Sequence, residues 1–125
     1  MESHVWQVTR EQITEYAEAS GDRNPIHLDE AFARSVGLPG VVAHGMLTMA
    51  HLANCVVAYA GGEPRRVRKL RCRFSGMVLP GDTITFNARV LGEEAGVSRL
   101  ELTAENQKGE RVLSKAYAEV SDLNV

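Results

Sequence analysis

Cysteine is scarce in this chain of 125 residues: Cys55 and Cys72 are the only two, each inside an apolar stretch. They do not form a Cys-x-x-Cys pair, so the framework of a disulfide scaffold or a thiolate metal cluster is lacking. Both read as small buried hydrophobes in a reducing compartment. Excess charge of one sign is lacking too. Fourteen Lys and Arg stand against sixteen Asp and Glu, a net charge of −2, which argues against a general nucleic-acid binder. The opening residues, Met-Glu-Ser-His-Val-Trp, have no basic-then-apolar leader, so a cytoplasmic location is expected. Internal repeats and low-complexity tracts are also missing, and the expected organisation is a single domain over residues 1–125.

One long apolar run does occur, Val41 to Ala60, but it contains His44, His51 and Asn54. A helix over Gly45–Ala60 is roughly 24 Å long at about 1.5 Å per residue, short of a ~30 Å hydrocarbon core. Such a helix, apolar on nearly all sides, belongs in a protein interior, and no membrane partner is expected. The 44% apolar content lies near the usual roughly 45–50% of folded domains. A chain of this size buries about two-thirds of its unfolded surface, enough for one core.

The two halves of the chain follow different periods. Thr9 and Gln12 resemble a capping box, Ile13, Tyr16 and Ala17 form a helical stripe, and Ser20-Gly21 ends it. A short helix is expected from Asp29, as N-cap, to Ser35, with Gly37 as the stop. The apolar helix follows the Gly37-Leu-Pro-Gly40 loop, and Gly61-Gly62 terminates it. Residues 67–121 alternate with period two. Leu70, Cys72 and Phe74 share one face, opposite Lys69, Arg71 and Arg73. Ile84, Phe86, Ala88 and Val90 follow, then Leu100, Leu102 and Ala104, then Val112, Ser114, Ala116, Ala118 and Val120. Turns at Pro80-Gly81-Asp82, Gly92–Gly96 and Lys108-Gly109 are short, which predicts antiparallel neighbours. A sheet with one apolar face needs a cover, and the apolar helix supplies it. The expected class is α+β, a curved antiparallel sheet wrapped around one long helix.

Chemistry concentrates in two places. In Ala19-Ser-Gly-Asp-Arg-Asn-Pro-Ile-His-Leu-Asp29, Gly21 permits a sharp exit, and Pro25 pushes Asn24 into an extended conformation. Such a stiff loop holds Asp22 and His27 at a fixed separation, and a carboxylate and an imidazole so held pass protons in either direction. In isolation the pair reads first as a helix cap and a loop histidine. The second place is His44-Gly45-Met46, which opens the apolar helix. Its first N–H groups lack helical partners and sit at the positive end of the dipole. Gly45 allows close approach, so this end suits negative charge developing on a carbonyl oxygen. An acid–base pair beside an oxyanion donor suits proton abstraction next to a carbonyl.

These residues resemble a known family. Tyr16, then Ala19-Ser20-Gly21-Asp22-x-Asn24-Pro25-Ile26-His27, then Ala33, is similar to the signature of the MaoC-like (R)-specific enoyl-thioester hydratases and dehydratases. Val42-Ala43-His44-Gly45-Met46-Leu47-Thr48 and Arg73-Phe74 through Val78-x-Pro80-Gly81-Asp82 resemble the family's next two segments. The resemblance implies a hotdog fold, a lyase interconverting a (3R)-hydroxyacyl thioester and the trans-2-enoyl thioester plus water, and a coenzyme A or acyl-carrier-protein thioester as substrate. It implies a homodimer, or a heterodimer with a related hotdog subunit, and neither cofactor nor metal. By the same likeness, Asp22 and His27 match the catalytic pair, and the Gly45 N–H matches the oxyanion donor. Asn24 matches a motif asparagine read as loop-ordering, and it is placed with His44 among the substrate-site residues. One departure stands out: a small hydroxyl residue is expected about two turns beyond the glycine, where this chain has Ala53 beside Asn54.

Other clusters yield less. His44, His51 and Cys55 share a helix side without a full zinc ligand set. Arg65, Arg66, Arg68, Lys69, Arg71 and Arg73 form a basic row, either a solvated face or a site for an acidic carrier or a coenzyme A phosphate. Arg71 and Arg73 are the candidates for that contact. Two rival functions remain open at this point: a hotdog thioesterase, and a non-catalytic acyl-binding partner subunit.

Overall fold

A computed structural model describes residues 3–122. Met1 and Glu2 of the opening hexapeptide lie outside the described residues. The elements run β1 (Ser3–Gln7), α1 (Arg10–Ser20), α2 (Glu30–Ser35), α3 (Gly45–Tyr59), β2 (Val67–Phe74), β3 (Thr83–Glu94), β4 (Val97–Glu105) and β5 (Arg111–Ser121). Single 3₁₀ turns at Pro25–His27 and Pro64–Arg66 precede α2 and β2.

The helices begin and end where local chemistry dictates. Thr9 accepts from the Gln12 N–H while the Gln12 side chain accepts from the Thr9 N–H, a reciprocal capping box. Gly21 leaves α1 at φ 80°, a left-handed turn that costs a glycine little, and its N–H reaches the Ala17 carbonyl. Asp29 caps α2 through the Phe32 N–H. The strands form one antiparallel sheet ordered β1-β3-β4-β5-β2. Its inner face presents Ile84, Phe86, Leu100, Leu102, Ala118 and Val120 to Leu47, Leu52, Cys55 and Val56 of α3. Leu52 is fully buried at this contact; truncating such a side chain to Ala costs about 2–5 kcal/mol. The expected α+β layout of a sheet around one helix is thus what the chain forms. Among the described residues no helix is long and apolar enough to cross a membrane.

Four details differ from the periodicity. First, β1 is a strand that the alternation did not announce: only Trp6 of its five residues is buried. It pairs with β3, and His4 hydrogen-bonds His51 of α3 at 3.0 Å. Second, β2 lies beside β5 rather than β3, so the 75–82 connection crosses the sheet end instead of closing a hairpin. Third, a register shift between Val90 and Gly92 turns Val90 outward, 47% exposed, against the expected inward face. Fourth, the ladder of β5 is interrupted near Lys115, whose φ is 49°. Adjacent Val112 and Leu113 are both buried as a result, whereas strict alternation would put one of them outside. Cys72 is half-buried, and its burial raises the thiol pKa.

Candidate active site

The site is assembled where the 22–27 loop meets the start of α3. Asn24 has ψ 130°, the extended conformation that Pro25 demands, and its Oδ1 accepts from the Ile26 N–H at 3.2 Å. Asn24 therefore caps the turn carrying His27. Asp22 is exposed; its N–H donates to Ser20 Oγ, and its Oδ1 accepts from the Asn24 N–H at 3.2 Å. The loop is thus tied at three alternate side chains, Ser20, Asp22 and Asn24. Two backbone bonds hold the neighbouring strips together, from Val42 N–H to Ile26 O and from Ala43 N–H to Val78 O.

His27 is buried, and its Nδ1 lies 2.6 Å from the Val42 carbonyl. A carbonyl only accepts, so Nδ1 carries the proton and Nε2 keeps its lone pair. The same logic applies to His44, whose Nε2 is 2.9 Å from the Asp22 carbonyl oxygen and therefore donates to it. The two imidazoles stack, with centroids 3.7 Å apart and planes 22° from parallel. Tyr16 of α1 meets the His44 ring edge-on at 4.8 Å. A carboxylate oxygen of Asp22 and one nitrogen of each ring lie within 4.8 Å of one another. One nitrogen of each ring is bound to a backbone carbonyl, His27 Nδ1 to Val42 and His44 Nε2 to Asp22.

Beside His27 opens a cavity of about 280 Å³, close to the lower end of small-molecule sites at roughly 300–1,000 Å³. Its polar edge is His27, Gly45 and Thr48, and its apolar walls include Val42, Phe74 and Leu113. Gly45 is the first residue of α3, and its N-cap His44 makes no side-chain hydrogen bond to the helix. The positive helix end therefore faces the cavity without an internal cap. Gly76 lets the wall close: a Cβ there would lie 2.8 Å from the Arg111 carbonyl oxygen.

An imidazole and an uncapped helix end on the wall of one apolar cavity, with a carboxylate close behind the imidazole, suit proton transfer beside a polarised carbonyl. The family model described as "MaoC like domain" matches residues 2–111. The chain belongs to the MaoC-like domain family. A solved MaoC-like dehydratase superposes with a TM-score of 0.90 at 31% identity, over 97% of this chain and 38% of that one. An R-hydratase from Pseudomonas aeruginosa, in its unliganded form, gives 0.84 at 27% identity, over 95% and 77%. Among curated relatives, the fatty acid synthase beta subunit TOXC of Cochliobolus carbonum is 39% identical over 100 residues, 78% of this chain. This MaoC-like chain spans 5% of that relative's length. The hotdog fold expected from the motifs is the fold of these neighbours.

The site residues expected from sequence separate into three groups. Asp22, His27 and His44 come together; of the three only His27 lines the cavity, where Gly45 joins it, and Asp22 lies outside the lining. Asn24 orders the loop and lies outside the cavity lining, as does His44, which is 2% exposed behind His27. Arg71 and Arg73 are exposed on β2, away from the lining. Arg71 sits over the Tyr117 ring at 4.6 Å. Of the rest of the basic row, Arg65 pairs with Glu63, Arg66 bonds the Ser121 and Ala60 carbonyls, Arg68 bonds Ser121 Oγ, and Lys69 stands over the Tyr117 ring at 6.0 Å. Sequence reasoning missed Thr48. It is buried in the cavity wall one turn beyond Gly45, with its hydroxyl donating to the His44 carbonyl at 3.5 Å, whereas Ala53 is outside the lining. Its position three residues after Gly45, on the same helix face, was the available signal.

Proposed function

We propose that this chain is a hydro-lyase interconverting (3R)-hydroxyacyl and trans-2-enoyl thioesters, with coenzyme A or an acyl carrier protein as the thiol handle. The observation that carries the reading is the hydrogen bond from His27 Nδ1–H to Val42 O, which leaves Nε2 as the ring nitrogen available for proton transfer, in a ring with one nitrogen within 4.8 Å of an Asp22 carboxylate oxygen. In the dehydration direction the C2–H bond breaks and its proton passes to the Asp22–His27 pair. The electron pair forms the C2–C3 double bond, and the C3–O bond breaks. The leaving oxygen takes a proton from the pair and departs as water. The Gly45 N–H, at the positive end of α3, stabilises the enolate-like thioester oxygen. Asp22, His27 and Gly45 are thus the catalytic residues of the proposal, and Asn24 keeps the loop in shape.

The chain acts as a dimer in this reading. Strand β2 is a sheet edge, and Phe74 at its end, with Met46 and Met77, is 52–56% exposed beside the cavity. A homodimer or a pair with a related hotdog chain would cover them. The test is hydration of a short trans-2-enoyl thioester by the purified chain, followed by chiral analysis of the product and gel filtration. Formation of the (3R)-alcohol supports the reading. Release of free thiol would make the chain a thioesterase, and inactivity of a folded chain would make it a partner subunit.

A further inference from the structure

The least expected feature of the site is a second imidazole that the proposed chemistry does not use. His44 is 2% exposed, and its Nδ1 is buried without a hydrogen-bond partner among the described residues. Its other nitrogen donates to the backbone carbonyl of Asp22 at 2.9 Å. One face of the ring lies against His27 with centroids 3.7 Å apart, and the Tyr16 ring meets it edge-on at 4.8 Å. A buried lone pair left unpaired is a cost that a Met or Leu at this position would not incur.

We infer that His44 is a positioning residue: an imidazole that anchors the Asp22 backbone through its Nε2–H and gives His27 a π-face to stack on, without touching substrate. This inference rests on the proposed roles of Asp22 and His27. Three physical points support it. The Asp22 carbonyl requires a proton on Nε2 of His44, so the neutral ring has its lone pair on Nδ1. A second proton there would be a buried charge with no acceptor, 3.7 Å from His27 by ring centroid. The neutral ring presents an electron-rich face to His27, which favours the imidazolium that His27 becomes on taking a proton. The titratable groups around this pair are Asp22 on the loop and Tyr16 on α1; Arg23 is turned to Glu18 at 2.6 Å.

Two variants separate anchoring from stacking. His44→Gln offers an amide donor toward the Asp22 carbonyl but no ring, and His44→Met offers neither. A misplacement of about 1 Å is worth roughly 10²-fold in rate. His44→Met is therefore expected to lose kcat by that order with KM within twofold. His44→Gln should recover most of the kcat. In both variants the acid limb of the kcat/KM profile should move to lower pH, because His27 has lost its stacking partner. A rise in KM at unchanged kcat would overturn the inference and make His44 a substrate contact. Equal kcat losses with an unmoved pH profile would overturn it in favour of simple packing. Ring-nitrogen NMR of the wild-type protein needs no turnover. It should show a proton on Nε2 of His44 and on Nδ1 of His27. A His44 ring without a proton on Nε2 overturns the inference. Inactivity of wild-type protein with the expected NMR would instead fail the functional reading and leave the geometry standing.

Discussion

The ring of Phe74 lies across Gly45, so that a Cβ on Gly45 would sit 3.1–3.2 Å from three of its carbons. Gly45→Ala therefore keeps the backbone N–H but pushes Phe74 aside by a few tenths of an ångström, into the cavity it lines. The expected result is a folded protein with reduced kcat/KM. Adding Phe74→Leu should restore part of the loss, because it removes the ring the methyl meets. Gly45→Pro deletes the donor outright, and proline is tolerated at the first position of a helix. Loss of one such donor costs about 2.7–4 kcal/mol of transition-state stabilisation. A folded Gly45→Pro protein with full turnover would place the thioester oxygen elsewhere.

Asp22→Asn and His27→Ala should each lower enoyl hydration by about 10²–10⁴-fold, the usual contribution of one acid–base group. Because the two act as a unit, the double variant should be only slightly slower than either single one. Circular dichroism of each variant checks the fold. Multiplying losses would show two independent groups.

Stability should fall as the solution is acidified from neutral pH, and His51 is one cause. Burial lowers its pKa below the ordinary 6.5, and nearby His4 lowers it further. The folded state therefore binds this proton less readily than the unfolded chain does. The contribution is complete above about pH 6.5 and is lost as pH falls through the folded-state value. The geometry agrees: His4 Nε2 and His51 Nδ1 share one hydrogen bond at 3.0 Å, and a second proton would set two donors against each other. Thermal melts from pH 7.5 down to 5 should show a steeper decline in wild type than in His51→Gln. Parallel slopes would assign the acid sensitivity to other groups.

Arg71 and Arg73 are proposed to meet the phosphate of the thiol handle. They face outward on β2, where alternate residues stand roughly 6–7 Å apart. Arg73→Gln should have the larger effect, since Arg71 is already held over Tyr117. The losses should fall on KM for coenzyme A and carrier-linked substrates, and they should shrink as added salt shortens the Debye length from about 10 Å at 0.1 M. N-acetylcysteamine thioesters lack the phosphate and should be indifferent. Equal losses on all three substrates would give these arginines a structural role.

The features legible in the sequence were those set by near neighbours. Thr9 with Gln12, Asn24 before Pro25, Asp29 as a cap and Gly45 opening a helix all depend on residues within a few positions, and all four formed as expected. What escaped depended on distant partners. Strand β1 buries one of its five residues, too few for a period to show, and it exists because β3 offers an edge. The pairing of β2 with β5 and the burial of both Val112 and Leu113 arise from a long-range register that no local pattern encodes. His44 could be read as a helix-start residue, but its stacking on His27 joins parts of the chain that meet only in the fold.

One guanidinium closes the end of the molecule away from Gly45. Arg66 donates to the Ala60 carbonyl, at the close of α3, and to the Ser121 carbonyl, at the end of β5, at 3.0 and 2.8 Å. Ala60 is a near neighbour in sequence, whereas Ser121 arrives only after β5 has found its place between β4 and β2. In kinetic terms the side chain is a latch that can be half-engaged early and fully engaged only at completion. Its second bond forms only in the finished topology, because Ser121 reaches it only once β5 is paired. The helix that presents Gly45 to the cavity is thereby held from behind by a contact between residues 55 positions apart in the chain.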